Sequence, residues 1–430
     1  MKTVNTLLVF FLFLLLISLP FYPWCSELLL TICFILTSIK FAISNNRYHQ
    51  NKQLLTVLVA IIVLFVVAVA SLGVSEEKMQ GVANLHTYLP LVALPIILLI
   101  QGEWFTKNYS MVLKIFVVGV LIASVICLLL SLWRSVSFTD KGLIFNPYVG
   151  FRSQFVYTNL SVFQYTNTFA MMTVFAVAIM LWKLLYTDCT QCRKAIWVAM
   201  ALCLLIIFLL SSRTNVFALF FVLYFSVGVY YFQTKLLKKS ILLVACVTAL
   251  FVFFQTCNFR VMNLSQTVTG YITEEDVVTS SGYVIKHAQT VGDVNIRFKI
   301  WQLGAELISD YWAEGCGIGD YKGMLRAQFY NEHVVKAYDN GYDQHNQFIE
   351  TWGETGIFGF FVLIGIFIYS LLKAYKTGNY LLFCCLVLLF FNMMFESVFN
   401  RYSGSLFFVF ALALSHIVKT PCNIVEQSKE

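Results

Sequence analysis

The segment GYDQHNQFIETWGETGIFG, Gly341–Gly359, decides the fold. It begins polar, with Asp343, His345, Asn346 and Glu350, and passes directly into Ile357–Leu372, a run apolar enough to enter a bilayer. A hydrophilic stretch that turns straight into such a run marks a membrane surface. A histidine fixed at that surface can take a proton near neutral pH; the other reading is a helix cap or a packing turn. Gly353, Gly356 and Gly359 recur every three residues. On a helix they leave one face without side chains, open to close packing or to a lipid-borne substrate.

Outward from this segment, composition sets the class. The chain has 430 residues, 59% hydrophobic and 12% charged, with 41 Phe, 22 Tyr and a mean hydropathy of +0.78. A soluble domain cannot hide so much apolar side chain, so an integral membrane protein is expected. Leu7–Leu19 reads as a first span, because Pro20–Cys25 has no small-residue cleavage pattern and Leu28 opens another apolar run. Apolar runs fall at about 4–20, 24–43, 53–73, 86–101, 110–133, 159–185, 195–210, 214–232 and 240–256, then at about 349–372, 380–397 and 402–418. The expectation is an all-α polytopic membrane protein with about twelve transmembrane helices and both termini on one side. Residues 1–256 would carry nine helices, 257–348 an extramembrane loop domain, and 349–430 the last three helices and a short tail.

Basic residues orient the chain. With the N-terminus in the cytoplasm, Arg47, Lys52, Lys107, Lys183, Arg193, Lys194, Lys235, Lys238, Lys239, Lys373, Lys376 and Lys419 fall on the cytoplasmic side. The opposite short loops are poorer in positive charge, as in Glu76-Glu77-Lys78. The net charge of +7 then reflects topology and anionic headgroups, not nucleic acid. Arg213, in Ser211-Ser212-Arg213, sits at the outer face with almost no loop around it. There it either snorkels as an interfacial anchor or pairs with an anion.

The outward segment 257–348 is too small for a large core and is expected to pack on the helices as a cap. Within it, Thr267–Ser281 reads as an irregular polar loop, with Glu274-Glu275-Asp276 a solvated acidic turn. In Asp293–Ile308 the residues Ile296, Ile300, Leu303 and Leu307 have helical spacing. An amphipathic helix lying on the membrane surface would aim Arg297 toward the region of His345. Gly315-Cys316-Gly317-Ile318-Gly319-Asp320-Tyr321 lacks the lysine of a nucleotide loop and reads as a tight turn of backbone amides.

Cys189 and Cys192 have redox spacing but no second cluster, so free thiols are expected. Cys257 and Cys316 bracket the cap and are placed either to pair or to stay free. His49, His86, His287, His333 and His416 have no metal-ligand spacing, and nothing in the sequence demands a metal or cofactor. Asp339, Asp343, Glu350 and Glu354 flank His345, either to orient its ring or to line a wet helix entrance; Glu350 is the one expected to face the bundle interior.

His345-Asn346, nine residues, then Gly356-Ile-Phe-Gly359 resembles the signature of the O-antigen ligase family, whose polytopic members also include O-antigen-type polymerases and some protein O-oligosaccharyltransferases. The resemblance extends to the span pattern, which is GT-C-like, with a large periplasmic loop between helices 9 and 10, to Ser212-Arg213-Thr214, and to Arg297 in the loop. It implies inverting, metal-independent transfer of a glycan from undecaprenyl diphosphate in the periplasm of a bacterial inner membrane. The acceptor it implies is lipid A-core or a growing glycan. By the family pattern His345 matches the histidine that activates the acceptor hydroxyl, while Arg213 and Arg297 match the arginines that bind the diphosphate. Asn167, in Tyr165-Thr166-Asn167, resembles a further family feature, and Asn346, Glu350, Gly356 and Gly359 are candidate supports. A transporter or flippase remains the non-enzymatic reading, with Asn392 and Glu396 as the main intramembrane polar residues of its route.

Overall fold

The computed structural model describes residues 2–43, 52–139, 142–149, 152–187, 193–257, 273–278, 284–290 and 293–418. Arg47, Cys189, Cys192, Lys419 and most of Thr267–Ser281 lie outside these residues, as does the side chain of Cys257.

The apolar runs form helices, as their length and composition dictate. In chain order these are α1 (Lys2–Ser18), α2 (Pro23–Ile43), α3 (Lys52–Ala70), α4 (Lys78–Leu85), α5 (Pro90–Ile100) and α6 (Gly102–Ser135). After an irregular segment come α7 (Thr166–Tyr186), α8 (Arg193–Leu210), α9 (Arg213–Thr234) and α10 (Leu237–Cys257). The outward segment supplies α11 (Asp293–Asp310), α12 (Tyr321–Asn331) and α13 (Val335–Asp339), followed by α14 (Gln347–Thr377), α15 (Tyr380–Phe395) and α16 (Tyr402–Ile417). Among the described residues, nine helical stretches are long and apolar enough to cross a membrane, α4 and α5 counting together, and α1, α15 and α16 contribute shorter apolar helices. The protein is an all-α multi-pass membrane protein.

At α16 the bundle has its axis. Every residue from Tyr402 to Ile417 is buried, the pattern of a helix apolar all round and enclosed by others. It packs against α2, α3, α5, α6, α7 and α15. Phe116 of α6 and Phe175 of α7 meet Phe407 of α16 with ring centroids 6.1 and 5.6 Å away. Polar contacts sort by helix end. Lys40 Nζ donates to Asn5 at 3.0 Å and to Gln101 at 2.8 Å, joining the start of α1 to the ends of α2 and α5. At the opposite ends of these helices, Glu27 of α2 lies 2.6 Å from His86, beside α4. That alternation is what up-and-down threading requires.

The close pair of runs around Ser211 is two helices. Ser211 takes φ 51°, Ser212 is extended, and α9 starts afresh at Arg213.

The cap departs from expectation in three ways. First, Thr273–Val278 is a β-strand (β5, after two short hairpins, Val136–Phe145 and Tyr148–Ser153) and pairs antiparallel with Val284–Thr290 (β6), so Glu274 and Glu275 belong to a ladder, with Asp276 at a bulge in it, and not to an irregular acidic turn. Second, the apolar face of α11 does not lie on a membrane surface. Ile296, Ile300, Leu303 and Leu307 are buried in a small core with Tyr321, Leu325 and Phe329. Apolar side chains at helical spacing bury against whatever apolar face is nearest, and α12 supplies one. Third, the glycine turn is a clip. Its amides are spent on protein acceptors: Cys316 N on Gly353 O at 2.7 Å and Gly319 N on Ser75 Oγ at 3.0 Å. Asp320 completes the attachment by accepting from the backbone amides of Glu76 and Glu77 at 2.7 and 2.9 Å.

The glycine stripe of α14 is likewise occupied. Gly353 lies beneath the Tyr321 ring, where a Cβ would come within 2.1 Å of a ring carbon. Gly356 breaks the helix with φ 67° and ψ −169°, and Ile357 N is turned to the carbonyls of Trp312 and Ala313 at 3.1 and 3.2 Å. The stripe therefore seats the cap and is not an open face along the membrane. A Cβ on Gly356 would stand 2.2 Å from Ala313 O, in a backbone region closed to side chains. Gly356→Ala is expected to cost at least the ~1–3 kcal/mol of such strain, read as a lower melting temperature and a lower folded yield in detergent.

Candidate functional site

His345 stands at the point where the cap re-enters the bundle. Asn346 is the N-cap of α14, its side-chain oxygen accepting from Phe348 N at 3.0 Å and Ile349 N at 3.2 Å. This is the ordinary chemistry of asparagine at a helix start; of the candidate supports of His345, Asn346 serves the helix, and carboxylates lie beside the ring. The ring is bordered by carboxylates. His345 Nδ1 lies 3.1 Å from Asp343 Oδ1 and 3.7 Å from Glu396 Oε2. Tyr342 packs edge-on at 5.3 Å between ring centroids, and Trp301 Nε1 donates to the His345 carbonyl at 3.3 Å. The backbone of His345 has φ 48°, an uncommon conformation for a residue with a side chain.

Glu396 ties the site together. Helix α15 ends at Phe395, one residue before it, so Glu396 lies just beyond the helix end. Its Oε1 accepts from Arg297 Nη2 at 3.0 Å and from Asn167 Nδ2, while Arg297 Nη1 donates to Phe395 O at 2.8 Å. The carboxylate is almost fully enclosed, 5% exposed at the side chain. Burial alone would raise its pKa; the His345 ring and the guanidiniums of Arg297 and Arg401 outweigh that and hold it below the usual glutamate range. Helix α11 thus delivers Arg297 to the same place as His345.

A second layer links α7, α9 and α15. Asn215 donates to the Asn167 carbonyl at 3.1 Å and exchanges reciprocal hydrogen bonds with Asn392 at 3.0 and 3.1 Å. Asn392 is therefore a structural tie between helices. Arg213, two residues before Asn215, is half-buried on the first turn of α9, beside this tie. The Arg401 guanidinium carbon lies over the Tyr165 ring, 3.5 Å from its centroid, just ahead of α7. Asn400 bridges outward, donating to Glu350 at 2.7 Å and to Asp343 at 3.4 Å. Glu350 is fully buried, and Glu354, one turn on, accepts from Tyr88 Oη at 2.6 Å.

The structure thus gathers His345, Arg297, Asn167 and, through Asn400, Glu350. Gly356 and Gly359 are not part of this cluster: Gly356 holds the cap and Gly359 packs against Thr355 of its own helix. Sequence reasoning misses Arg401, Asn215 and the role of Glu396. Arg401 is a lone cation in the short link between α15 and α16, on the lysine-poor face, and that anomaly is its signal. Cys316 is a free buried thiol, pushed up to about 12 by burial with help from Asp320 and Asp310. No cluster of His, Cys, Asp and Glu able to hold a metal ion is present among the described residues.

Arranged in this way, two guanidiniums, an imidazole and a buried carboxylate share one rim of the bundle, where an anion carried by a lipid and a hydroxyl could meet. No curated protein matches the chain. Over residues 198–364, the stretch from α8 to the upper part of α14 that contains Arg213, Arg297 and His345, the chain matches the O-antigen ligase family.

Proposed function

We propose that the protein is an O-antigen ligase-like enzyme of a bacterial inner membrane. It moves a glycan from undecaprenyl diphosphate to a sugar hydroxyl of lipid A-core on the periplasmic side. The observation that carries this reading is Glu396, a buried carboxylate shared by Arg297 and His345. Asp343 and Glu396 border Nδ1, which favours the tautomer protonated there and leaves the Nε2 lone pair for the acceptor. As the acceptor oxygen bonds to the anomeric carbon, its proton passes to Nε2. The bond from that carbon to the diphosphate oxygen breaks, and the leaving group keeps the electron pair. One attack from the opposite face inverts the configuration.

Charge growing on the diphosphate calls for fixed donors. Two of the five N–H groups of Arg297 are used on Glu396 and Phe395. Those two bonds fix the fork for a diphosphate. Arg213 and the amide-rich first turn of α9 offer a second anion contact. A polymerase extending lipid-linked repeat units would use the same groups, and the chain-length profile of the product separates the two.

Arg297→Lys and Arg213→Lys keep the charge but lose the planar fork. Each is expected to lower transfer from purified undecaprenyl-diphosphate-linked donor by about tenfold or more, for a loss of 1.4 kcal/mol per tenfold, at matched enzyme level. Near-normal rates in both would remove the diphosphate assignment. A cysteine introduced at Lys322 should label from outside the inner membrane and one at Lys376 only after permeabilisation; the reverse would overturn the periplasmic placement.

A further inference from the structure

A cleft of about 850 Å³ opens between the cap and the α3–α4 link, on the cap side of His345. This volume lies within the ~300–1,000 Å³ of ligand pockets. Two of its lining residues, Tyr342 and Asp343, lie against the His345 ring, so the cleft and the histidine share a wall. Tyr311, at the far side, is 40% exposed and lines the same space. Its charge is the reverse of what a diphosphate needs. Carboxylates at Glu76, Glu77, Glu314 and Asp343 face it against cations at Lys322 and Arg326, and Asp320 forms part of the lining with its oxygens already on backbone amides.

The site is therefore electrically divided at His345. Arg297 and Arg401 act on Glu396 on one side, and the acidic cleft lies on the other. A polyanionic carrier is attracted to the first and repelled by the second. Tyrosine rings present flat apolar faces to the C–H faces of sugars, and carboxylates accept hydrogen bonds from hydroxyl and ammonium groups.

We propose that this cleft is the acceptor subsite, and that it takes an oligosaccharide whose terminal residues are uncharged or amino-bearing, not phosphorylated or acidic. The assignment rests on the glycan-transfer reading above for the word acceptor, while saccharide binding in the cleft is testable without it.

The test uses the full-length protein in detergent micelles without donor, with saturation-transfer NMR on three tetrasaccharides: N-acetylglucosamine tetramer, glucosamine tetramer and galacturonic acid tetramer. The first two should receive saturation several-fold more strongly than the third. The effect should be lost in Tyr311→Ala and in Glu314→Gln, two exposed positions remote from His345, and kept in Arg297→Lys. In the transfer assay Tyr311→Ala should raise the acceptor KM about tenfold, the size of a lost aromatic contact, with kcat and donor KM unchanged. Equal saturation of the galacturonic acid tetramer, binding indifferent to both cleft variants, or no saccharide binding at all would overturn the proposal. Saccharide binding at the cleft in a protein that turns over no lipid-linked donor would sink the transfer reading alone.

Discussion

His345→Ala is expected to retain affinity for the lipid-linked donor and to lose transfer by about 10²- to 10⁴-fold, the usual cost of removing a general base. The separation follows from position. The imidazole is bordered by Asp343 and Glu396 and shares a wall with the acidic cleft, while the guanidinium of Arg297 is held by its own bonds to Glu396 and Phe395. Removing the ring leaves that guanidinium fixed. Donor affinity and single-turnover transfer on the same purified variant, from pH 5.5 to 8.5, decide the matter. Retained turnover with an unchanged pH profile would refute the base assignment. Lost donor affinity in a folded variant would move His345 to the diphosphate side.

The second large effect is expected at Glu396. Glu396→Gln keeps the shape but removes the negative charge between Arg297 and His345. Breaking a buried pair commonly costs ~3–5 kcal/mol, and with Arg297 one-third exposed, 33% at its side chain, the low end, about 3 kcal/mol, applies. Transfer should fall along with stability, because the fork and the ring both lose their anchor. The pH dependence has a definite sign. The folded carboxyl titrates below the ordinary glutamate value of 4.5, so its contribution is complete above that value and disappears as pH falls through the lower folded one. The melting-temperature gap between wild type and Glu396→Gln should therefore be widest near neutrality and close in acid. A gap that is constant down to pH 3 would mean that the charge is not what Glu396 contributes.

How much of this was legible in the sequence differs between fold and site. Helices were legible because an apolar run of the right length has one stable form in a bilayer. His345 and Arg297 were legible as chemistry near a surface, since each sits on a recognisable pattern. The destination of the amphipathic face of α11 was not, because periodicity gives a face without naming what covers it. Tyr321 and Phe329 cover it from a segment that carries no comparable signal. The glycine stripe had the same difficulty: a missing side chain announces close approach, but only the fold reveals that the Tyr321 ring and the Ala313 carbonyl are what approach. Glu396 stood out as a carboxylate at the end of an apolar run, yet its meaning depended on Arg297, 99 residues away. Pairings over such a distance are set by tertiary packing alone.

The enclosure of α16 has a consequence for assembly of the chain during synthesis. The innermost helix is made after every helix that surrounds it. The earlier helices must therefore enter the membrane around a vacant slot, held by lipid or by a helper, until Tyr402–Ile417 arrives. Glu396 and Arg401 come with that last stretch. Until then Arg297 lacks its carboxylate partner and His345 has only Asp343 beside it, so the candidate site is completed in the same step that closes the bundle. A ribosome stalled before residue 396 would leave the ring of helices open and the candidate site incomplete.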